Sequence, residues 1–411
     1  MAAAVLTTPR GGGRGPRVRA HAASGVDRSL SDRVVVVGGG IAGLACAVAL
    51  KRARFPVTVL ESAKGKREGG TAIALWTNAW RALESLGVAD ELRAGHQELN
   101  QIQLCAAKQK VLKSFSLDEC DGGPHEFRGV YRRELLSALE SKLDGTDIMY
   151  GVEVKEATTS GQGVLLQTSQ GQALECRAVV GCDGIGSRVA DSLGLPKPNF
   201  SGYSAIRGVA TFPSDLKPIS NTVRQIMGSG MRAGMYPLSR SEVYWFVCFN
   251  SDSDWAKTCR KDDVLEKLKL FNDWDHALSE TIAATDVESV SVGSISDRWR
   301  WGGVGVGNLT VAGDALHPMT PNLGQGGCCA LEDAVVLSNC LARGQGTMEE
   351  ALREYERERL KRCFPLTVRA NIMGALLQIG NPIVTGVRDA VIERVFSPAH
   401  FLDHTCFDCR L

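Results

Sequence analysis

The sequence lacks an excess of charge of either sign. Its 47 Lys and Arg residues nearly balance its 46 Asp and Glu residues, leaving a formal net charge of +1. Such a chain has no general electrostatic attraction for nucleic acid, so no nucleic-acid partner is expected. The hydrophobic fraction of 44% and charged fraction of 23% are typical of a globular protein. A length of 411 residues predicts two domains, or one large domain with an insertion.

Long apolar runs are also missing. No stretch of about 18 uncharged apolar residues occurs, so no transmembrane segment is expected. The closest approach, residues 364–387, is interrupted by Arg369 and Pro382. We interpret it as a buried helical pair, which is favoured, or as a surface patch making peripheral contact with a membrane.

Neither a metal-ligand spacing nor a Ser-His-Asp arrangement is recognisable, so no metal site is predicted. The thirteen cysteines lie mostly in apolar runs, as Cys46 and Cys248 do, which suits small hydrophobic side chains in a reducing compartment. The CxxC spacing of Cys406 and Cys409 has no supporting context and is interpreted as incidental.

The first thirty residues differ from the rest in being almost free of acids. They contain five arginines and a single acid, Asp27, among many Ala, Gly and Ser residues. This composition predicts a disordered segment and favours a transit peptide for the chloroplast, with the mitochondrion or the cytoplasm as alternatives.

A dinucleotide-binding βαβ unit is predicted directly after this segment. Residues 33–37 form a β-branched run typical of a buried parallel strand, and a helical pattern follows over residues 44–52. A second strand over residues 57–60 ends at Glu61, where a carboxylate can bind the hydroxyls of an adenosine ribose. This unit alone leaves the choice between FAD and NAD open.

Between the first strand and the helix lies a glycine-rich loop. Gly38 permits the tight turn, Gly40 lets a pyrophosphate approach the backbone, and Gly43 lets the helix pack closely on the strand. The start of the helix offers N–H groups and a positive dipole end to the phosphates. The predicted cofactor contacts of this loop are Gly38, Gly40, Ile41, Ala42 and Gly43.

Two later strand ends favour FAD. One strand runs into Asp183, and another ends at Gly313-Asp314, where a carboxylate can accept hydrogen bonds from the ribityl hydroxyls of FAD. A helix begins after the loop 321–327, and its N-terminal amides can stabilise negative charge on a reduced flavin.

These motifs resemble those of the single-component FAD-dependent aromatic hydroxylases, also called group A flavoprotein monooxygenases. The resemblance covers residues 33–362 and is strongest to the plant monooxygenase branch near zeaxanthin epoxidase and salicylate-hydroxylase-like proteins. It rests on Gly38-x-Gly40-x-x-Gly43, Leu75-Trp76-Thr77-Asn78-Ala79, Cys182-Asp183-Gly184, Gly313-Asp314, and the run from Gly324 to Ala334.

The resemblance implies a role for each matching residue. Glu61 would hold the adenosine ribose, and Asp314 the ribityl chain. Arg132 would approach the FAD phosphates, with its neighbour Arg133 as the alternative, and Asp183 would lie near the pyrophosphate and the path of the nicotinamide cofactor. The loop beside the isoalloxazine would contain Pro321, Gly324, Gln325, Gly326 and Gly327.

The resulting expectation is an α/β fold with a Rossmann-like FAD-binding domain, an interleaved antiparallel-sheet substrate domain and C-terminal helices. The domain prediction assigns residues 1–30 to a disordered segment. The FAD-binding domain takes residues 31–198, of which 101–118 join the substrate sheet, and residues 286–345. The substrate domain takes residues 199–285, and residues 346–411 form a helical region.

The predicted function is an FAD-dependent monooxygenase that uses NAD(P)H and O2. It would hydroxylate or epoxidise a small organic substrate, with an aromatic one favoured, and the resemblance implies a C4a-hydroperoxyflavin as the oxygenating species. Because fold analogy does not fix function, three alternatives stay open: a non-oxygenating flavin oxidoreductase, a carotenoid or lipid epoxidase, and a flavin-binding sensor with little turnover.

Overall fold

The computed structural model describes residues 26–66, 71–108, 110–145, 147–161, 163–213, 217–344 and 346–410. The strands, in chain order, are β1 (Val26–Val37), β2 (Val57–Glu61), β3 (Ala72–Trp76), β4 (Gln101–Ala106), β5 (Lys110–Ser116), β6 (Phe127–Tyr131), β7 (Ile148–Tyr150), β8 (Val154–Ser160), β9 (Gly163–Thr168), β10 (Ala173–Gly181), β11 (Asn199–Thr211), β12 (Thr222–Met227), β13 (Met231–Pro237), β14 (Glu242–Asn250), β15 (Ser291–Asp297) and β16 (Leu309–Val311).

The helices in the same ranges are α1 (Ile41–Arg52), α2 (Thr77–Leu86), α3 (Ala89–Gly95), α4 (Arg132–Glu140), α5 (Arg188–Ser192), α6 (Trp255–Thr258), α7 (Lys261–Lys269), α8 (His276–Ala283), α9 (Gly326–Ala342), α10 (Met348–Leu377), α11 (Pro382–Val395) and α12 (Pro398–Leu402). Short 3-10 helices lie at Leu117–Glu119, Val287–Ser289, Gly313–Ala315, Pro321–Leu323 and Asp403–Thr405.

A first sheet has the strand order β7-β2-β1-β10-β9-β8, and β16 pairs with the C-terminal half of β10. Strands β1, β2, β7, β10 and β16 run parallel, so their carboxyl ends meet at one edge. The four valines at positions 34–37 are buried; α1 packs on β1 and β2, and α9 packs in turn on α1. The parallel edge therefore brings together the loops that follow β1, β10 and β16.

A second, mainly antiparallel sheet has the order β15-β11-β14-β13-β12-β4-β5. One face packs against α7 and α8 through a separate core that includes Trp245, Phe271 and Leu278. The opposite face carries Tyr236 and Tyr244, which belong to the core of the first sheet. This second sheet thus forms a wall over the nucleotide-binding side of the molecule.

The structure corrects two boundaries predicted from the sequence. Strand β1 begins at Val26, inside the segment 1–30 that was excluded from the fold; residues 1–25 lie outside the described part of the chain. The extension is ordered because it pairs with the first half of β10 and buries Leu30. The domain boundary predicted at residue 285 is also misplaced, since β15 pairs with β11 in the second sheet.

The helices that cover the second sheet are interrupted, and one helical prediction is wrong. Residues 270–275 separate α7 from α8. The break occurs because Phe271 and Trp274 turn into the core while Asp275 caps α8 by accepting from the Leu278 amide at 3.1 Å. The segment 364–387 is not a buried pair, because α11 buries none of its residues. Among the described residues, none of the helices has the length and apolar character that crossing a bilayer requires.

Candidate functional site

The first glycine loop is built so that β1, α1 and β10 approach closely. Gly38 has φ +106°, and a Cβ there would lie 2.6 Å from the carbonyl oxygen of Cys182. A Cβ on Gly43 would lie 1.8 Å from the carbonyl oxygen of Gly38. A Cβ on Gly40, by contrast, would meet nothing nearer than Arg132 Nη2 at 3.9 Å. Two glycines therefore allow tight packing, and the third leaves space above the start of α1.

Glu61 lies against this loop at the end of β2. Its side chain is buried, with Oε2 accepting from the Gly39 amide at 2.6 Å and Oε1 from the Ala63 amide at 2.8 Å. Oε1 also accepts from the Ser62 hydroxyl at 3.3 Å, so the carboxylate is held in a fixed orientation beside the loop.

The structure distinguishes the two adjacent arginines. Arg132 is the first residue of α4 and points its guanidinium towards Gly40. The side chain of Arg133 is 54% exposed, and its guanidinium stacks 4.7 Å from the ring centre of Tyr131. Arg132 is therefore the one placed where FAD phosphates are expected.

Asp314 stands at the carboxyl end of β16, in the 3-10 turn Gly313–Ala315, with its side chain open to the cleft. The surrounding protein walls raise the pKa of its carboxyl, and the positive charges of His317 and Arg132 oppose that rise. Gly313 has φ +60°, and a Cβ there would lie 2.7 Å from Cβ of Ala42. The loops at 38–43 and 313–314, about 270 residues apart in sequence, are thus in direct contact.

Asp183 has mainly a local role in this structure. Its Oδ2 accepts from the Arg188 amide at 2.7 Å, and its Oδ1 accepts from the Ser187 hydroxyl. The carboxylate therefore caps the turn into α5, while its Cα would lie 3.1 Å from a Cβ on Gly38. A role beside the nicotinamide path stays a prediction.

The loop before α9 is held rigidly. Pro321 begins the 3-10 turn and Gly324 ends it with φ +63°. Gln325 is fully buried, and its Oε1 accepts from Asn78 Nδ2 at 2.8 Å. A Cβ on Gly326 would meet nothing nearer than Asp314 Oδ1 at 3.9 Å, whereas one on Gly327 would lie 2.3 Å from Ile73 Cδ1. Open space thus adjoins both Gly326 and Asp314.

A buried ionic network supports this loop from behind. Arg359 on α10 donates from Nε to Asp333 Oδ1 at 2.6 Å and from Nη2 to Glu332 Oε2 at 2.7 Å. His317 Nε2 lies 2.7 Å from Asp333 Oδ2, which also accepts from the Gly313 amide at 2.7 Å. Burial raises the pKa of Asp333, but His317 and Arg359 outweigh it and bring the value to about 2.

This network gives His317 a structural place. Burial lowers its pKa, but the neighbouring Asp333 carboxylate raises it well above the usual value, which favours an imidazolium. His317, Asp333 and Cys363 hold potential metal-ligating atoms within 4.8 Å of one another. Arg359, however, lies 3.3 Å from Cys363 Sγ as well as 2.6 Å from Asp333. Its guanidinium therefore already supplies the positive charge that a metal ion would bring to these side chains.

The aromatic strand residues divide between two faces. Tyr236 and Tyr244 lie on the face of the second sheet towards the first sheet, with ring centres 4.8 Å apart. Trp245 faces the other way and donates to Thr285 Oγ1 at 2.8 Å. Only part of the aromatic run can therefore line a pocket over the cofactor.

Arg232 is a candidate residue that the sequence analysis missed. It lies on β13, is 4% exposed, and its Nε and Nη2 have no hydrogen-bond partner among the described residues. The sequence shows it only as a single Arg within Met-Arg-Ala-Gly-Met. The two small residues of this run weaken the pattern by which a strand is recognised.

The residues fit a dinucleotide cofactor: Glu61 and Arg132 lie beside a glycine loop with open space, and Asp314 lies beside Gly326. A family model described as an FAD binding domain matches residues 32–369. Monooxygenase 2 of Arabidopsis thaliana is 32% identical over 406 residues, which covers 92% of this chain and 98% of that protein.

One further relative and one solved structure are similar to this chain. The chloroplastic zeaxanthin epoxidase of an Oncidium hybrid cultivar is 28% identical over 80% of this chain and 52% of its own length. The crystal structure of Klebsiella pneumoniae HpxO with FAD and uric acid has the same fold, with a TM-score of 0.82 at 24% identity, and covers 92% of this chain and 96% of its own. The chain therefore belongs to the FAD-binding group A flavoprotein monooxygenase family.

Proposed function

We propose that this protein uses NAD(P)H and O2 to insert one oxygen atom into a small aromatic substrate that carries an anionic group. The observation that carries the substrate class is the buried, unpartnered guanidinium of Arg232. The family membership supports the oxygenation, since bound FAD would supply the redox chemistry and the activation of O2.

Arg232 points to the cofactor side of the second sheet. Its neighbours Ala233 and Met235 lie in the core with α7 and α8, so strand alternation places Arg232 and Tyr236 on the opposite face. There Tyr236 packs against β6, because a Cβ on Gly129 would lie 2.6 Å from its ring. The guanidinium is thus directed away from α7 and α8, to the face on which Tyr236 contacts β6.

An arginine buried in this way requires an anionic partner. Removing a cation from water without a counter-charge carries a large desolvation cost, and a guanidinium pairs best with a planar carboxylate or oxyanion. Within the described residues no carboxylate forms an ion pair with Arg232, and its guanidinium carbon lies 5.4 Å from the ring centre of Phe246. A substrate carboxylate, phenolate or enolate would supply the missing partner.

The same region connects to the loop expected beside the flavin. Burial raises the pKa of Tyr203, and the nearby positive charge of Arg232 opposes that rise. The Tyr203 hydroxyl accepts from Asn322 Nδ2 at 2.9 Å, and Asn322 belongs to the turn Pro321–Leu323. A substrate bound to Arg232 would therefore lie next to the loop that faces the isoalloxazine. The HpxO structure, which contains uric acid together with FAD, supports a ring substrate with an acidic group in such a fold.

The decisive experiment compares Arg232→Met and Arg232→Lys across aromatic carboxylic acids and their neutral analogues. Loss of the charge-assisted hydrogen bonds should raise KM for acids by about tenfold to a hundredfold in Arg232→Met, with a smaller change in kcat. Arg232→Lys should recover part of the loss, and KM for neutral analogues should hardly change. The matched control is Arg240→Met, at the exposed tip of the β13–β14 hairpin.

Isotope labelling separates the alternatives. Incorporation of label from 18O2 into the product supports oxygenation, and the product's structure then distinguishes hydroxylation from epoxidation. Turnover without label would favour the non-oxygenating oxidoreductase. Bound flavin without NAD(P)H consumption across the substrate panel would favour the sensor.

A chloroplast address for the N-terminal segment is a separate proposal supported only by its arginine-rich, acid-poor composition. A fusion of residues 1–30 to a fluorescent protein tests it. Import into plastids supports the proposal, and a diffuse cytoplasmic signal contradicts it.

A further inference from the structure

Helix α11 presents its apolar side chains to solvent. Ile383, Val387, Val391 and Val395 are 77%, 60%, 50% and 72% exposed, respectively. Their spacing of four residues places them in one stripe along the helix, which we call the outward stripe. A helix that packs on a protein core has the reverse arrangement, with its apolar stripe inward.

The polar side of α11 holds the helix on the protein. Arg388 Nη1 donates to the Gly228 carbonyl at 3.0 Å, and Glu393 pairs with Lys110 of β5 at 2.8 Å. Arg388 also pairs with Asp389 at 2.8 Å. These bonds fix the orientation of the helix, so the outward stripe is a stable feature of this surface.

A second apolar surface lies one short loop earlier in the chain, on α10. A groove of about 590 Å³ is lined there by Trp301, Phe364, Pro365, Val368, Arg369, Ile372, Met373 and Leu376. Trp301 is 68% exposed, and Ile372 and Leu376 are each about half exposed. An exposed tryptophan beside aliphatic side chains is typical of the membrane–water interface.

The chain from the second half of α10 to the end of α11 carries more cations than acids. Both acids of α11 are paired with cations, while Arg394 is exposed and has no ion-pair partner in the described ranges. Between Glu358 and Asp389 the chain contains no acid, and the exposed Lys361 lies one turn before the groove. An anionic surface would complement both features.

We propose that α11 docks on the surface of an anionic lipid bilayer, with the outward stripe in the boundary between headgroups and acyl chains. A second copy of this chain fits less well. In a two-fold dimer the same patch faces itself, so the unpaired cations would oppose each other. An anionic bilayer instead provides an apolar layer for the outward stripe and negatively charged headgroups for the cations beside it.

The test is flotation of the full-length, FAD-loaded protein with vesicles of phosphatidylcholine containing phosphatidylglycerol, compared with pure phosphatidylcholine. The wild type should float with the anionic vesicles and be released by high salt. Ile383→Ser/Val387→Ser should reduce the bound fraction by about tenfold or more, because two large side chains no longer enter the apolar layer. Retained flavin absorbance and melting temperature show that the variant is folded.

The matched control, Leu265→Ser/Leu270→Ser, removes two exposed leucines at α7 and should float like the wild type. The proposal is overturned if the wild type floats with neither vesicle, or if both double variants lose binding equally. The proposal is also overturned if the protein is a stable dimer in solution that Ile383→Ser/Val387→Ser converts to monomer, because the outward stripe would then bind a second copy of the chain.

Discussion

At the scale of single residues, the buried charges behind the loop 321–327 are each shared by several partners. Glu332, Asp333 and Arg359 are all fully buried, yet each has two or more polar partners in the described chain. Asp333 accepts from the Gly313 amide and Glu332 accepts from Asn78 Nδ2. Gly313 and Asn78 belong to or contact the loops expected around FAD. The network therefore fixes loop positions without contacting the open cleft itself.

Arg359→Met should be strongly destabilising. It leaves the Glu332 and Asp333 carboxylates without their shared cation, and breaking a buried ion pair on one side costs about 3–5 kcal/mol. Urea unfolding monitored by tryptophan fluorescence measures the change. The control is Arg357→Met, on the exposed side of the same helix, which should alter the free energy of unfolding by less than about 0.5 kcal/mol. Equal effects for the two variants would contradict the network's role.

His404 should make the protein acid-sensitive. Burial, assisted by the positive charge of Arg369, lowers its pKa from 6.5 to about 4. Between these values the unfolded chain binds a proton that the folded chain does not, so stability falls as pH falls from 6.5 to 4. The loss is on the order of 3 kcal/mol. It should be weaker in His404→Phe and unchanged in a control at exposed His400, as measured by urea unfolding at several pH values. A parallel pH profile for His404→Phe and the wild type would reject this assignment.

At the scale of elements, strong local patterns were predictable and weak ones were not. The β-branched run of β1, the glycine loop and the acid at the end of β2 carry their structure in a short segment, so the first βαβ unit followed from the sequence. Strand β13 was missed, because Gly234 and Pro237 obscure its alternation and its partners β12 and β14 supply the pairing. Arg232 was missed for the same reason, because only the tertiary structure shows that its side chain is buried without an ion-pair partner among the described residues.

The break between α7 and α8 shows how a tertiary contact overrides a helical pattern. Asp275 caps α8 and also pairs with Arg224 of β12 at 3.0 Å. Asp275→Ala removes both interactions and should lower the free energy of unfolding by about 2 kcal/mol. Thermal or urea unfolding measures this effect, and Asp273→Ala, two residues earlier and exposed, is the control. A change in Asp273→Ala as large as that in Asp275→Ala would show that the cap is unimportant.

At the scale of the whole molecule, segments far apart in sequence build one cleft. The second sheet takes strands from residues 101–116 and 199–297, and it contacts the loop before α9 through the hydrogen bond between Tyr203 and Asn322. No sequence pattern specifies that meeting, which depends on how the sheets pack. The family resemblance supplied the expectation, and the contact between Gly313 and Ala42 provides its physical basis.

If these loops converge on FAD, Asp314→Asn should weaken FAD binding without changing the stability of the FAD-free protein. The Asp314 carboxylate faces the cleft, and enclosure by protein already disfavours its charge, so the variant should unfold at the wild-type temperature without FAD. FAD at a hundred times its Kd should stabilise the wild type by about 2.7 kcal/mol. Losing a charge-assisted hydrogen bond to the ribityl chain should weaken binding about tenfold and remove roughly half of that stabilisation. Thermal unfolding with and without FAD measures both quantities, and Glu266→Gln on exposed α7 should behave as the wild type does. If Asp314→Asn retains the full FAD-dependent shift, the cofactor does not contact this carboxylate, and the placement of its flavin half in the cleft is wrong.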